Sequence, residues 1–184
     1  MYNQLMVKYV ALLRGINVGG NNKVEMKKLK EIMQTLLFKN VSTYINSGNI
    51  LFESKYLDKE KLAKKIEEAI SKKFGFSIPT VVRNEGDIKK LLNSIPKNWE
   101  NNTEQKTDIL FLWDKFDNRK TLNLIKQTKG IDNLVYVKGE IIWNINRKDY
   151  SKSGMNKFIG TDVYKNMTAR NVNTVRKLFE IMNR

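Results

Sequence analysis

Val41-Ser42-Thr43-Tyr44-Ile45-Asn46-Ser47-Gly48-Asn49-Ile50-Leu51-Phe52 reads as a β-hairpin. A β-branched and aromatic run from Val41 to Ile45 meets turn chemistry at Asn46-Ser47-Gly48-Asn49, with Ser47-Gly48 at the tip. Ile50-Leu51-Phe52 then resumes the strand. Upstream, Met26, Leu29, Ile32, Met33, Leu36 and Leu37 recur at helical spacing, with Lys27, Lys28, Lys30 and Glu31 on the other side. Before that helix, residues 7–13 form a strand that becomes continuously apolar toward its end. Downstream, Asp58 is placed to cap a second helix with inner face Leu62, Ile66, Ala69 and Ile70, and Gly75 closes it. Residues 77–83, carrying Ile78, Val81 and Val82, make a fourth strand, and Pro79 puts it at an edge. The order β-α-β-β-α-β is the split βαβ, or ferredoxin-like, arrangement, with both helices on one face of a small sheet.

The order then begins again. A connecting helix with Ile88, Leu91, Leu92 and Ile95 inward ends at Pro96, and the polar residues 97–106 read as a linker. Residues 107–113 are a strand, Asp117 opens a helix that stops near Gly130, and Leu134–Val137 and Ile141–Ile145 form a second hairpin around Lys138-Gly139. The fold class is therefore α+β, with two ferredoxin-like halves from an internal duplication. Residues 1–83 are the first half, 84–106 the connection and 107–184 the second half. That second half shows no clear last strand. It offers a short helix near 154–159 and a helix from about 169 to 182, for which Thr168 is the predicted N-cap.

The chain has no cysteine and no histidine, which excludes thiol nucleophiles, disulfides and histidine acid–base schemes. No apolar run is long enough to span a bilayer, and Met1-Tyr2-Asn3-Gln4 lacks the features of a secretion signal; these point to a cytoplasmic protein without a membrane partner. A net charge of +15 fits a nucleic-acid partner, because lysines and arginines displace counterions from phosphates. Only seven of the 34 basic residues are Arg, however, and the lysines are spread through nearly every helix, as on ordinary solvated faces.

Chemistry concentrates in Arg14-Gly15-Ile16-Asn17-Val18-Gly19-Gly20-Asn21-Asn22-Lys23. In a split βαβ unit the exit of the first strand, the start of the first helix and the tip of the hairpin share one end of the sheet. Arg14, Gly15, Asn17, Gly19, Gly20 and Lys23 therefore neighbour Asn46, Ser47 and Asn49. Glycine-rich backbone and a helix N-terminus make this corner a candidate cradle for a small phosphate- or carboxylate-bearing ligand. Equally, the glycines shape a tight connection and the asparagines cap turns. The spacing fits neither a Walker A loop nor a dinucleotide fingerprint. A second polar cluster, Thr168 to Arg176, contains Arg170 and Asn171 and reads either as a binding face or as a capped, solvated helix. The carboxylates are scattered without metal-ligand spacing, so no metal site and no cofactor are predicted.

The segments Ala11–Gly20, Thr43–Phe52 and Thr168–Leu178 resemble the three signatures of a bacterial domain-of-unknown-function family, number 1697. The third signature usually carries Trp where this chain has Val172. The resemblance implies a duplicated ferredoxin-like fold and no activity, and it puts weight on Arg14, Asn17, Asn46, Ser47, Gly48, Asn49, Arg170 and Asn171. Three functions follow as expectations: binding of a small anionic ligand, a nucleic-acid-binding module, or an enzyme relying on Lys23 or Lys152. The nucleic-acid reading draws on Trp99 and Trp113 as stacking platforms, although the aromatic motif of RNA-binding sheets is missing. The enzyme reading needs a lysine with a lowered pKa.

Overall fold

A computed structural model describes residues 5–18 and 22–184. The chain has a mixed α+β architecture with two four-stranded antiparallel sheets. It divides into two compact units, one comprising the described residues up to Ile88 with Leu178–Arg184, the other Lys89–Lys177.

The first unit contains β1 (Val7–Leu13), α1 (Met26–Thr35), β2 (Lys39–Tyr44), β3 (Asn49–Ser54), α2 (Lys59–Phe74) and β4 (Thr80–Asn84). Its sheet runs in the order β2-β3-β1-β4, so β1 is central and β4 is an edge. Residues 9–13 of β1 are fully buried, which explains the apolar run. One sheet face, bearing Tyr9, Ala11, Leu13, Ile50, Phe52 and Val82, packs under Leu29 and Met33 of α1 and Leu62, Ile66 and Ile70 of α2. Each of the Val, Leu, Ile, Met and Phe side chains among them contributes roughly 1.5–3 kcal/mol on burial. Phe52 stacks on Phe38 at 4.4 Å and on Tyr9 at 5.5 Å between ring centroids. Asp58 accepts a hydrogen bond from the Lys61 N–H (3.0 Å), and Gly75 closes α2 at φ +80°. Both ends are those predicted.

The second unit contains most of α3 (Glu85–Asn93), then β5 (Gln105–Leu112), β6 (Asn133–Val137), β7 (Glu140–Asn146), the short helices α4 (Met155–Phe158) and α5 (Asp162–Lys165), β8 (Met167–Asn171) and the start of α6 (Val172–Met182). Its sheet runs β6-β7-β5-β8. Leu110, Leu112, Ile141, Trp143 and Ile145 form its core with Ile125, Met155, Phe158 and Met167.

Three expectations need correction here. The second half does have a last strand: β8 pairs antiparallel with β5 from Asp108↔Asn171 to Leu112↔Met167. Thr168 is consequently a strand residue, and Asn171 caps α6 instead, its Oδ1 accepting from the Thr174 N–H (2.9 Å). The helix expected from Asp117 is replaced by two 3-10 segments, Asp114–Phe116 and Arg119–Leu124. Asp117 cannot cap a helix because its carboxylate is engaged by the Gly139 N–H and the Tyr136 hydroxyl, and β-branched Thr121 turns its own hydroxyl back to the Phe116 carbonyl.

Candidate functional site

In the first unit β1 ends where the hairpin turns. The Leu13 N–H donates to the Gly48 carbonyl (2.8 Å), and the next amide, that of Arg14, donates to the Pro79 carbonyl just before β4 (2.9 Å). Gly48 lies against Leu13 and Ile16 at φ +77°, so closely that a Cβ there would stand 2.7 Å from Leu13 Cβ. The hairpin loop, residues 45–48, also holds Ile45 at φ +49°, a left-handed conformation that strains a β-branched residue. The end of β1, the turn and the approach to α1 therefore do share one rim.

Asn17 is the clasp of this rim. Its Oδ1 accepts from the Val24 N–H (2.9 Å), while its Nδ2 donates to the carbonyls of Val24 (3.0 Å) and Asn46 (2.9 Å). Asn22, which the sequence reading did not single out, closes the loop from the other side. It accepts the Asn17 N–H at its carbonyl (3.2 Å) and donates through Nδ2 to the Gly15 carbonyl (3.1 Å). Asn49 is fully buried and donates to the Tyr44 carbonyl and to Ser47 Oγ, both at 3.0 Å. These asparagine carboxamides hold main chain together. Arg14 is half-buried, and Gly15 (φ +66°), Lys23 and Asn46 are exposed. Gly19 and Gly20 lie outside the described residues.

The start of α1 adds donors to this rim. Its N-cap residue, Glu25, makes no side-chain cap, and the first turn has no acidic residue; the Glu25 carboxylate instead pairs with Lys28 (2.7 Å). Among the described residues no side chain accepts from the first amides of the helix, and the helix dipole favours an anion there.

Arg170 and Asn171 belong to the second unit. Arg170 is buried (8% exposed), with NH1 donating to Thr168 Oγ1 (3.0 Å) and to the Ala169 carbonyl (2.8 Å). Burial pushes its pKa down to about 10. Asn171 is exposed and caps α6. Lys152 is exposed and pairs with Asp149 (3.1 Å), while Ser153 is buried with its hydroxyl donated to Asp132. These two do not form a reactive pair. Trp113 is partly buried against the second core, and Trp99 is half-buried.

Sequence reasoning missed one polar centre, the buried Asp132. Its carboxylate accepts from Trp143 Nε1 (3.0 Å), Ser153 Oγ (2.5 Å), and the N–H groups of Thr128 (2.7 Å) and Gly154 (2.9 Å). Burial by itself raises the pKa, but the four donors together hold this carboxyl below its ordinary range. Nothing local in the sequence distinguishes Asp132 from a turn residue; its partners come from three separate segments, at Thr128, Trp143 and Ser153-Gly154. Among the described residues there is no cluster of Asp and Glu able to hold a metal ion, and no helix long and apolar enough to cross a membrane.

Comparison with solved structures finds the conserved bacterial protein SP0830 from Streptococcus pneumoniae, with a TM-score of 0.84 and 29% identity, covering 97% of this chain and 99% of that one. No curated protein matches. A family model described as "Protein of unknown function (DUF1697)" matches residues 6–143, which include the first two signature segments and stop short of the third. With three-quarters of its length matched by that model, the chain belongs to the DUF1697 family.

Proposed function

We propose that the protein binds a small phosphate- or carboxylate-bearing ligand at the rim of the first unit, through Arg14, Lys23, Ser47, the Gly15 main chain and the open amides of α1. The observation that carries this reading is the seating of the hairpin turn on the exit of β1, through Leu13 and Gly48. Together with the bonds from Asn17 to Val24 and Asn46, it supports reading Arg14, Lys23 and the helix start as one edge. Asn17 and Asn49 serve as scaffold in this reading, and Arg170 and Asn171 are not used. The test is thermal shift with inorganic phosphate, nucleotides, sugar phosphates and di- and tricarboxylates. A ligand at a hundred times its Kd adds about 2.7 kcal/mol of stability. We expect a concentration-dependent rise in Tm that Arg14→Ala removes. No rise with any member at millimolar concentration, or a rise unchanged in Arg14→Ala, would overturn the assignment.

We also read the two units as copies of one ferredoxin-like unit, joined through residues 84–106. Their sheets share one order. The Leu13–Gly48 bond has a counterpart between the Leu112 N–H and the Gly139 carbonyl, also 2.8 Å. Val82-Arg83-Asn84 and Ala169-Arg170-Asn171 each end a last strand and run directly into a helix, and Lys90-Leu91 and Lys177-Leu178 follow at the same spacing. This bears on function. Where the first unit has Arg14 the second has Trp113, and the second hairpin turn is bonded by a carboxylate, that of Asp117, whereas the first is bonded by the uncharged Asn17. A carboxylate there repels anions, so the reading assigns a single ligand to the chain, in the first unit.

A further inference from the structure

The first unit carries another feature at the opposite end of β1. Lys8 precedes Leu13 by about 17 Å of extended strand, so this place is separate from the glycine-rich rim and its test is independent. A cleft of about 330 Å³ opens there, floored by Lys8, Ser42 and Glu53 of the sheet and walled by Ile181 and Met182 of α6. That volume lies at the small end of ligand pockets, suited to a small metabolite.

Three observations make the cleft chemically specific. First, Lys8 and Glu53 are register partners on neighbouring strands, yet they form no ion pair. Lys8 instead turns its ammonium to the Met182 carbonyl at the end of α6 (2.5 Å), a position that favours a cation. Glu53 is left half-buried, facing the cleft, with no hydrogen-bond or ion-pair partner for its carboxylate among the described residues. A half-buried carboxylate without a partner calls for a cation. Second, the Ser42 hydroxyl and the Asn40 carboxamide, also lining the cleft, have no partner among the described residues either. Asn40 lies at φ +50° in the register shift between Lys39 and Ser42, a bulge that re-aims side chains at the edge strand. Third, Lys8 spends one of its three donors on Met182, which leaves two for an anion, and Leu51 and Ile181 supply apolar surface.

Opposite charges on adjacent strands, a hydroxyl and an apolar wall in one small cleft match a molecule that carries both charges itself. We propose that this cleft binds a small zwitterion of the α-amino-acid type, its ammonium taken by Glu53 and Ser42, its carboxylate by Lys8, and its side chain laid against Leu51 and Ile181.

The experiment is a titration of the ¹⁵N-labelled full chain, followed by amide chemical shifts, with L-serine and L-methionine. Propylamine and butyrate serve as single-charge controls. We expect saturable shifts at Ser42, Leu51, Glu53 and Met182 by about 10 mM of amino acid, an affinity that two or three charge-assisted contacts can supply. Neither control should reproduce them. Glu53→Gln should weaken binding by about tenfold or more, the worth of one hydrogen bond to a charged group. Ser42→Ala, which leaves both charges in place, should weaken it less. Absence of any saturable shift at that concentration would overturn the proposal. So would equal shifts with either control, or undiminished binding by a folded Glu53→Gln variant.

Discussion

Asn17 stands at φ +54° and makes three hydrogen bonds with one carboxamide. Asparagine tolerates this left-handed backbone better than any other residue except glycine, and its short amide reaches main chain on both sides of the loop. Asn17→Ala removes the three bonds and keeps the unfavourable φ, so it should cost about 2–4 kcal/mol in urea unfolding. Asn17→Gly loses the same bonds but relieves the backbone, so it should cost about 1 kcal/mol less than the alanine variant. Equal losses in the two variants would mean that backbone strain plays no part. Gly48→Ala should also cost about 2–3 kcal/mol, because its methyl meets Leu13 Cβ at 2.7 Å in a backbone that disfavours any side chain. At this scale the sequence was legible as to place and not as to role. Asn17, Asn46, Ser47 and Asn49 do gather at one rim as predicted, but a carboxamide bonding main chain and one bonding a ligand look the same in a string of letters. Only the partners separate them, and for Asn17 and Asn49 the partners are backbone carbonyls and amides and one neighbouring hydroxyl.

Elements were legible wherever one face of a strand or helix is apolar and its ends carry turn or cap chemistry. That holds for β1, for both hairpins and for α2 with Asp58 and Gly75. It failed for β8. Met167 and Ala169 pack against the second core, but the alternate positions are Thr168 and a buried Arg170, so the strand lacks the apolar look of its neighbours. It also runs into α6 with no intervening turn, and Thr168 mimics a helix cap. The discriminating signal was the repeated Arg-Asn of Arg83-Asn84 and Arg170-Asn171, since Asn84 likewise accepts from the N–H three residues on, that of Asp87 (2.8 Å). If Asn171 is the cap, Asn171→Ala should lower stability by about 1 kcal/mol, and Asn171→Ser should recover most of the loss. Hydrogen exchange at the Thr174 amide should accelerate in the alanine variant. An unchanged Thr174 amide would mean that the Asn171 side chain does not cap α6. The helix expected after Asp117 failed for a different reason, a tertiary one. The Asp117 carboxylate is claimed by a hairpin turn some twenty residues away, and no local pattern records that.

Over the whole molecule, 34 basic residues against 19 acidic ones leave the chain strongly cationic at neutral pH, and acid removes the compensating carboxylates. Self-repulsion then grows as pH falls, and it adds to the titration of particular groups. Asp132 has a depressed pKa in the folded state, so its contribution is fully present above the unfolded value of 3.8 and is lost as pH falls through the lower folded value. Glu67, whose Oε1 accepts the Thr80 N–H (2.7 Å), works the other way. Burial raises its pKa, so its contribution is largest in acid and is lost as pH rises through the folded value. Asp132 has four donors and is buried, whereas Glu67, on α2, has one, from Thr80 of the edge strand β4, so the acid-labile contribution should dominate. Unfolding free energy should therefore fall as pH drops from about 4 to about 2, with a smaller slope in Asp132→Asn, which is destabilised at pH 7 but cannot titrate. The charge contribution is separable because salt screens it: the Debye length shrinks from about 30 Å at 0.01 M to about 8 Å at 0.15 M. Added sodium chloride should recover the part of the acid loss common to both proteins and leave the difference in their slopes. If the two slopes coincide at both salt concentrations, Asp132 is not the group that acid titrates, and the lability belongs to net charge alone.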